Sequence, residues 1–196
     1  MNPLEARYWG AVVEEVGGDE WLALRRLKVP SLQINGYTYS HEGRCNGKIV
    51  AVLPYRITAK GHEVLLRTEI VPPWGLTAVP CAITGGCDHE GEEPAQVALR
   101  ELEEEAGYAV PPEYLISLGD CRGTKSTDTT FYLFTCDVSQ MIAGEAKGDG
   151  SHLEEIGGTL WTQSPEKCKD PLVGTMALRL IKYLLRKRRT GDGKEG

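Results

Sequence analysis

Three glutamates constrain this chain more than any other feature. Residues Gly86 to Tyr108 read GCDHEGEEPAQVALRELEEEAGY. Pro94 suits a first helical turn and Gly107 a helix stop, so the spacing predicts a helix between them. Ala95, Ala98, Leu99, Leu102 and Ala106 recur at helical spacing and form one apolar stripe. At about 100° per residue, Glu101, Glu104 and Glu105 fall together, rotated away from that stripe, while Glu103 points to the other flank. Like charges at these spacings repel by about 0.2–0.5 kcal/mol per pair. A divalent cation reverses that sign, because Mg²⁺ prefers hard oxygen ligands and combines one or two carboxylates with substrate phosphates and water. A glutamate-rich helix face alone is ordinarily just solvated. The residues around it decide the matter.

Gly86 is followed after five residues by Glu92, and seven residues later by Arg100-Glu101-Leu102-Glu103-Glu104-Glu105-Ala106-Gly107. This spacing resembles the Nudix box, the signature of hydrolases that cleave a nucleoside diphosphate linked to another group. Every fixed position of that pattern is filled, and the single departure is Tyr108 in place of an aliphatic residue. The resemblance implies roles position by position. Glu101, Glu104 and Glu105 would hold one to three Mg²⁺ or Mn²⁺ ions, with Glu105 the principal ligand and Glu104 an alternative catalytic base. Arg100 would orient these carboxylates through a salt bridge, and Glu92 would be an accessory metal ligand or a structural partner. Gly86 and Gly107 would adopt backbone shapes costly for other residues, with Gly86 also near the substrate. The implied fold is α/β (α+β), an α/β/α sandwich around a mixed sheet with a β-rich N-terminal extension. The implied reaction is water attack on one phosphorus of a pyrophosphate.

The chain has 196 residues, 41% hydrophobic and 26% charged, which is globular composition for one domain with an appendage. A net charge of −6 argues against broad nucleic-acid binding. No apolar stretch approaches the roughly 20 residues that span a bilayer, and the start lacks the basic and apolar pattern of a signal peptide. Cys45, Cys81, Cys87, Cys121, Cys136 and Cys168 are scattered without a Cys-x-x-Cys pair. They read as reduced structural thiols in a cytoplasmic protein. His41, His62, His89 and His152 form no constellation.

Along the chain, residues 1–46 form an extension ahead of the expected core. In it, 8–16 and 21–29 fit a strand or a helix equally, and Asn35-Gly36 signals a turn leading into a strand. The extension resembles the N-terminal sheet of nucleotide-sugar and ADP-ribose pyrophosphatases, which takes part in dimerisation; edge strands packed on the same core are the other reading. The domain proper spans 47–190. Residues 47–55 predict one buried strand and 63–70 its hairpin neighbour, with a turn at Lys60-Gly61. Residues 71–79 are punctuated by Pro and Gly and read as irregular. Residues 80–84 predict a short strand entering the motif loop. Further strands are expected over 114–121, 129–138 and 158–162, and a polar glycine-rich loop over 140–158. A C-terminal helix over 170–189 would bury Leu172, Met176, Ala177, Leu180, Ile181, Leu184 and Leu185. Residues 191–196 read as a disordered tail.

Glu154 and Glu155 lie in the long loop, where branches of the resembling family place a catalytic glutamate. Arg67 is a candidate phosphate clamp and Trp74 a candidate stacking ring for substrate; a surface charge and a packed tryptophan are the plainer readings. Arg186-Lys187-Arg188-Arg189 complements a helix C-terminus. No proline lies between Glu113 and Pro165, where ADP-ribose pyrophosphatases carry one, and this tilts the resemblance toward UDP-sugar-type members. The function expected is Mg²⁺-dependent hydrolysis of a nucleotide-derived small molecule, a nucleotide sugar or ADP-ribose-like compound, by a homodimer. The alternatives are a nucleoside triphosphate or dinucleoside polyphosphate hydrolase, and a catalytically silent ligand sensor.

Overall fold

The computed structural model describes residues 10–89, 91–146 and 157–191, the side chains of 190 and 191 excepted. The chain begins with an antiparallel meander of β1 (Val12–Gly18), β2 (Leu22–Val29) and β3 (Ile34–Glu42). The described parts of both ambiguous N-terminal segments therefore contain strands. The reversal into β3 does not use Asn35-Gly36, as the turn signal suggested. It falls earlier, in a 3-10 turn over Pro30–Leu32, closed by Gln33 at φ 57°. Pro30 presets the backbone for that turn. Gly36 then serves within the strand, where the stem of Arg26 crosses 3.3 Å from the place of a Cβ. The meander joins the rest through β3. Ser40 N–H donates to the Ser126 carbonyl at 2.8 Å, the Tyr37 hydroxyl donates to the Lys125 carbonyl at 2.8 Å, and His41 Nδ1 lies 3.0 Å from Asp128 Oδ2.

The expected single strand over 47–55 is broken. Pro54 has no N–H to give to a ladder, so β4 (Lys48–Val52) and β5 (Tyr55–Thr58) enter different sheets. β5 makes the hairpin with β6 (Gly61–Ile70), turning at Thr58–Gly61. β7 (Ala78–Cys81) pairs with β6, and β8 (Ile83–Gly86) pairs with β4. After α1 (Pro94–Ala106) come β9 (Ile116–Arg122), β10 (Thr130–Thr135), β11 (Gly158–Thr162) and α2 (Pro171–Gly191). One sheet has the order β8-β4-β10-β9, with β4 and β10 parallel, and the other has the order β11-β6-β5.

Side-chain alternation along β4 shows why the fold is layered. Val50 and Val52 join Ile83, Val97, Leu102 and Phe134 beneath α1. Ala51 and Leu53 point the other way and join Leu66, Leu133, Val173 and Met176 beneath α2. A strand buried on both faces reads as the continuous apolar run seen at 49–53. The result is the expected α/β/α sandwich with a mixed sheet. Helix α2 buries Val173, Met176, Ala177 and Leu180, but Ile181 and Leu185, expected in the core, stand 54% and 53% exposed. They face an open apolar groove shared with His62, Val64 and Leu184.

Asp170 ties the last helix to the strands that carry the motif. It is buried, and its Oδ1 accepts the Leu172 N–H at 2.8 Å in the first turn of α2. Its Oδ2 accepts the Ala82 N–H at 2.9 Å, in the bend between β7 and β8. Asp170→Ala removes a helix cap and strands a buried donor, so it should destabilise the protein by about 2–4 kcal/mol in urea unfolding. Asp170→Asn, which keeps an oxygen acceptor, should lose less. Equal stability of wild type and Asp170→Ala would contradict this role.

Candidate active site

β8 delivers the glycine pair to the motif. A Cβ on Gly85 would overlap the Glu101 carboxyl, and one on Gly86 would overlap the Asp88 carboxylate and approach Arg44 Nη2 to 3.3 Å. The missing side chains therefore give room to acidic groups. Helix α1 starts at Pro94, with the Glu93 N–H donating to Gln96 Oε1 at 3.4 Å. It ends at Gly107, whose φ of 72° is left-handed. Gly144 donates its N–H to the Gly107 carbonyl at 2.7 Å, so a side chain at 107 would also meet the next loop. The buried stripe is Val97, Ala98, Leu102 and Ala106. Val97 takes the place expected for Ala95, which is exposed.

The three glutamates share the flank of α1 that faces β8. Glu101 and Glu105 are 9% and 7% exposed, Glu104 is half-buried, and Glu103 is in solvent. Arg100 Nη1 lies 2.9 Å from Glu101 Oε1 and 3.2 Å from Glu104 Oε2, and its Nε lies 3.8 Å from Glu92 Oε1. Burial works against the charge of Arg100, but these three carboxylates outweigh it and raise the guanidinium pKa above its ordinary value. Arg67, on β6, is not at the surface. It is 4% exposed, with Nε 3.7 Å from Glu105 Oε2 and Nη1 donating to the Glu105 carbonyl at 3.1 Å. It thus meets both the charge of Glu105 and one of the last carbonyls of the helix.

These groups open onto a cavity of about 230 Å³ lined by Arg44, Asp88, Arg100, Glu101, Glu104 and Glu105, with Thr84, Gly85 and Gly86 as its floor. Four carboxylates there face two guanidiniums, a formal excess of two negative charges. The donor set is hard oxygen, four carboxylates with no thiol or imidazole among them. This chemistry fits a divalent cation with retained waters. Among the described residues, no three Asp, Glu, His or Cys side chains already converge on one point. The arginine contacts explain this, since each draws one oxygen of Glu101, Glu104 or Glu105 toward a guanidinium.

Other candidates lie elsewhere. Trp74 is 53% exposed in a turn closed by its N–H to the Val71 carbonyl at 2.8 Å, and it does not line this cavity. Glu154 and Glu155 fall outside the described residues. All six cysteines are free thiols, and burial raises the pKa of each. Among the described residues, no helix is long and apolar enough to cross a membrane. Sequence reasoning missed Arg44 and Asp88. Asp88 lay inside the motif's unassigned positions. Arg44 sits in a tight turn whose Asn46 and Gly47 have φ of 48° and 69°. That Asn-Gly pair was the one available signal that the chain reverses here.

A family model described as NUDIX domain matches residues 47–165. Among solved structures, the crystal structure of an ADP compounds hydrolase superposes with a TM-score of 0.61 at 15% identity, over 90% of this chain and 93% of that one. At that identity the likeness is one of fold. No curated protein matches the chain.

The Arg67–Glu105 pair is buried on both sides, so removing one partner leaves an uncompensated charge. Arg67→Met should cost about 3–5 kcal/mol in denaturant unfolding. Arg67→Met combined with Glu105→Leu should recover most of that loss. A single variant as stable as wild type would show that the pair carries no such strain.

Proposed function

The chain belongs to the NUDIX family and is a pyrophosphohydrolase, and we infer that it cleaves the diphosphate of a nucleotide joined to a second group, with Mg²⁺ or Mn²⁺ bound at Glu101, Glu104 and Glu105. The observation that carries this reading is the acidic cavity, where three glutamates of one helix flank and Asp88 exceed the two lining guanidiniums by two charges beside a glycine floor. Two anionic phosphates do not enter such a cavity alone. Glu101, Glu104 and Glu105 would hold a divalent ion there, and it would supply neutralisation of the charge that develops on the phosphoryl oxygens.

The protein's own groups do the rest. Arg100 bridges Glu101 and Glu104 through one nitrogen, and Arg67 fixes Glu105 from behind. Glu104, with a side chain 37% exposed, is the most solvent-facing of the three, and its alternative part is to accept a proton from the attacking water in place of binding metal. Glu92 supports Arg100 from the loop. The products are a nucleoside monophosphate and a phosphorylated remainder. A nucleotide sugar or ADP-ribose-like compound is the substrate class proposed. The exposed Val16, Leu22 and Leu24 of the N-terminal meander support pairing of two copies, which light scattering reads directly.

The test is turnover of ADP-ribose, UDP-glucose, dinucleotides and triphosphates with Mg²⁺ or Mn²⁺, with products identified by mass. Phosphomonoester release should vanish on chelation and return with added metal. Glu104→Gln and Glu105→Gln should each lower turnover roughly 100-fold or more, as expected when proton transfer or charge stabilisation is removed. Glu104→Gln should keep wild-type circular dichroism and stability, and Glu105→Gln, which leaves Arg67 without its charge partner, should keep the folded spectrum under assay conditions while unfolding at lower urea. Unchanged turnover in both would refute the assignment.

A further inference from the structure

Three arginines approach the carboxylates, and they differ in what they can still reach. Arg67 is 4% exposed behind Glu105. Arg100 is engaged by Glu92, Glu101 and Glu104. The side chain of Arg44 is 49% exposed, and its Nη1 meets Asp88 Oδ2 at 3.3 Å. It lines the acidic cavity and also a larger one of about 800 Å³, bounded by Lys48, His89, Tyr132 and Phe134. Arg44 and Asp88 are the residues common to both, so they stand where the two cavities meet.

The position of Arg44 is set by the N-terminal meander. Its guanidinium carbon lies 5.2 Å from the centroid of the Trp21 ring. The Gly43 N–H donates to the Trp21 carbonyl at 3.0 Å, and a Cβ on Gly43 would run into the Glu20 carbonyl. Trp21 thus holds Arg44 twice, by its ring and through the turn that carries it.

The geometry points to Arg44 as a substrate-contacting residue that clamps the diphosphate where it passes from the acidic cavity into the larger one, with Trp21 as its positioning residue. This rests on the function proposed above. A guanidinium presents paired donors that match a phosphate. Entry of the diphosphate exchanges the Asp88 contact for phosphate oxygens, while stacking on Trp21 keeps the cation in place. The group attached to the diphosphate then occupies the larger cavity, against Tyr132 and Phe134.

The experiment compares wild type with Arg44→Ala, Arg44→Lys, Trp21→Ala and Trp21→Phe. It measures kcat and KM on whichever of ADP-ribose or UDP-glucose the wild type hydrolyses, and calorimetric binding of non-hydrolysable α,β-methylene-ADP with Mg²⁺. Arg44→Ala should raise KM and weaken α,β-methylene-ADP roughly 10–100-fold, the loss of one or two charge-assisted contacts, with kcat within about threefold. Arg44→Lys should recover part of the loss. Trp21→Ala should raise KM in the same manner, and Trp21→Phe, which keeps a ring, should restore it. Wild-type KM and binding in Arg44→Ala would overturn the proposal, as would a loss confined to kcat. A wild type that hydrolyses neither substrate, but binds α,β-methylene-ADP through Arg44, would sink the proposed substrate class and leave the clamp standing.

Discussion

The structure depends on keeping three carboxylates side by side, two of them almost out of water. Charges of one sign on adjacent turns of a helix repel, and burial strengthens the repulsion by removing solvent screening. The fold answers with cations from two directions. Arg100 comes from the same helix and meets Glu101 and Glu104, while Arg67 comes across from β6 and meets Glu105. The glycine floor on β8 removes side chains that would compete for the space. The sandwich can be understood as the scaffold that brings helix, floor and opposing strand to one place.

Much of this was legible in the sequence because it is local. The helix, its two ends and its acidic flank follow from spacing, while the parts expected of Arg100 and Glu92 came from the resemblance to the Nudix box. The two-sided burial of β4 was written in its unbroken apolar run. What escaped depends on distance along the chain. Arg67 and Glu105 are 38 residues apart, and no pattern tells an arginine in a strand whether it faces a substrate or a helix end. Arg44 and Trp21 meet because β2 and β3 pair, a register that no single segment encodes.

Two misreadings show a weak local signal yielding to a neighbour. Asn35-Gly36 has turn chemistry, yet Pro30 had already set the reversal, and the glycine was used for close passage of Arg26. In 47–55 the apolar run concealed Pro54, whose missing donor moves the chain from one sheet to the other. The apolar residues of α2 beyond Leu180 follow the helical period faithfully, but the helix there lies along an open groove, so periodicity outlasts the core.

The contact between Asp170 and Ala82 bears on assembly during synthesis. The bend that aims β8 at the motif helix completes its hydrogen bonding with a carboxylate that leaves the ribosome 88 residues later. Until the C-terminal helix emerges, the Ala82 amide lacks that acceptor and the glycine floor lacks its fixed angle. The nascent chain can form the acidic helix early, but the strand beside that helix gains its last anchor only after residue 170 has been made.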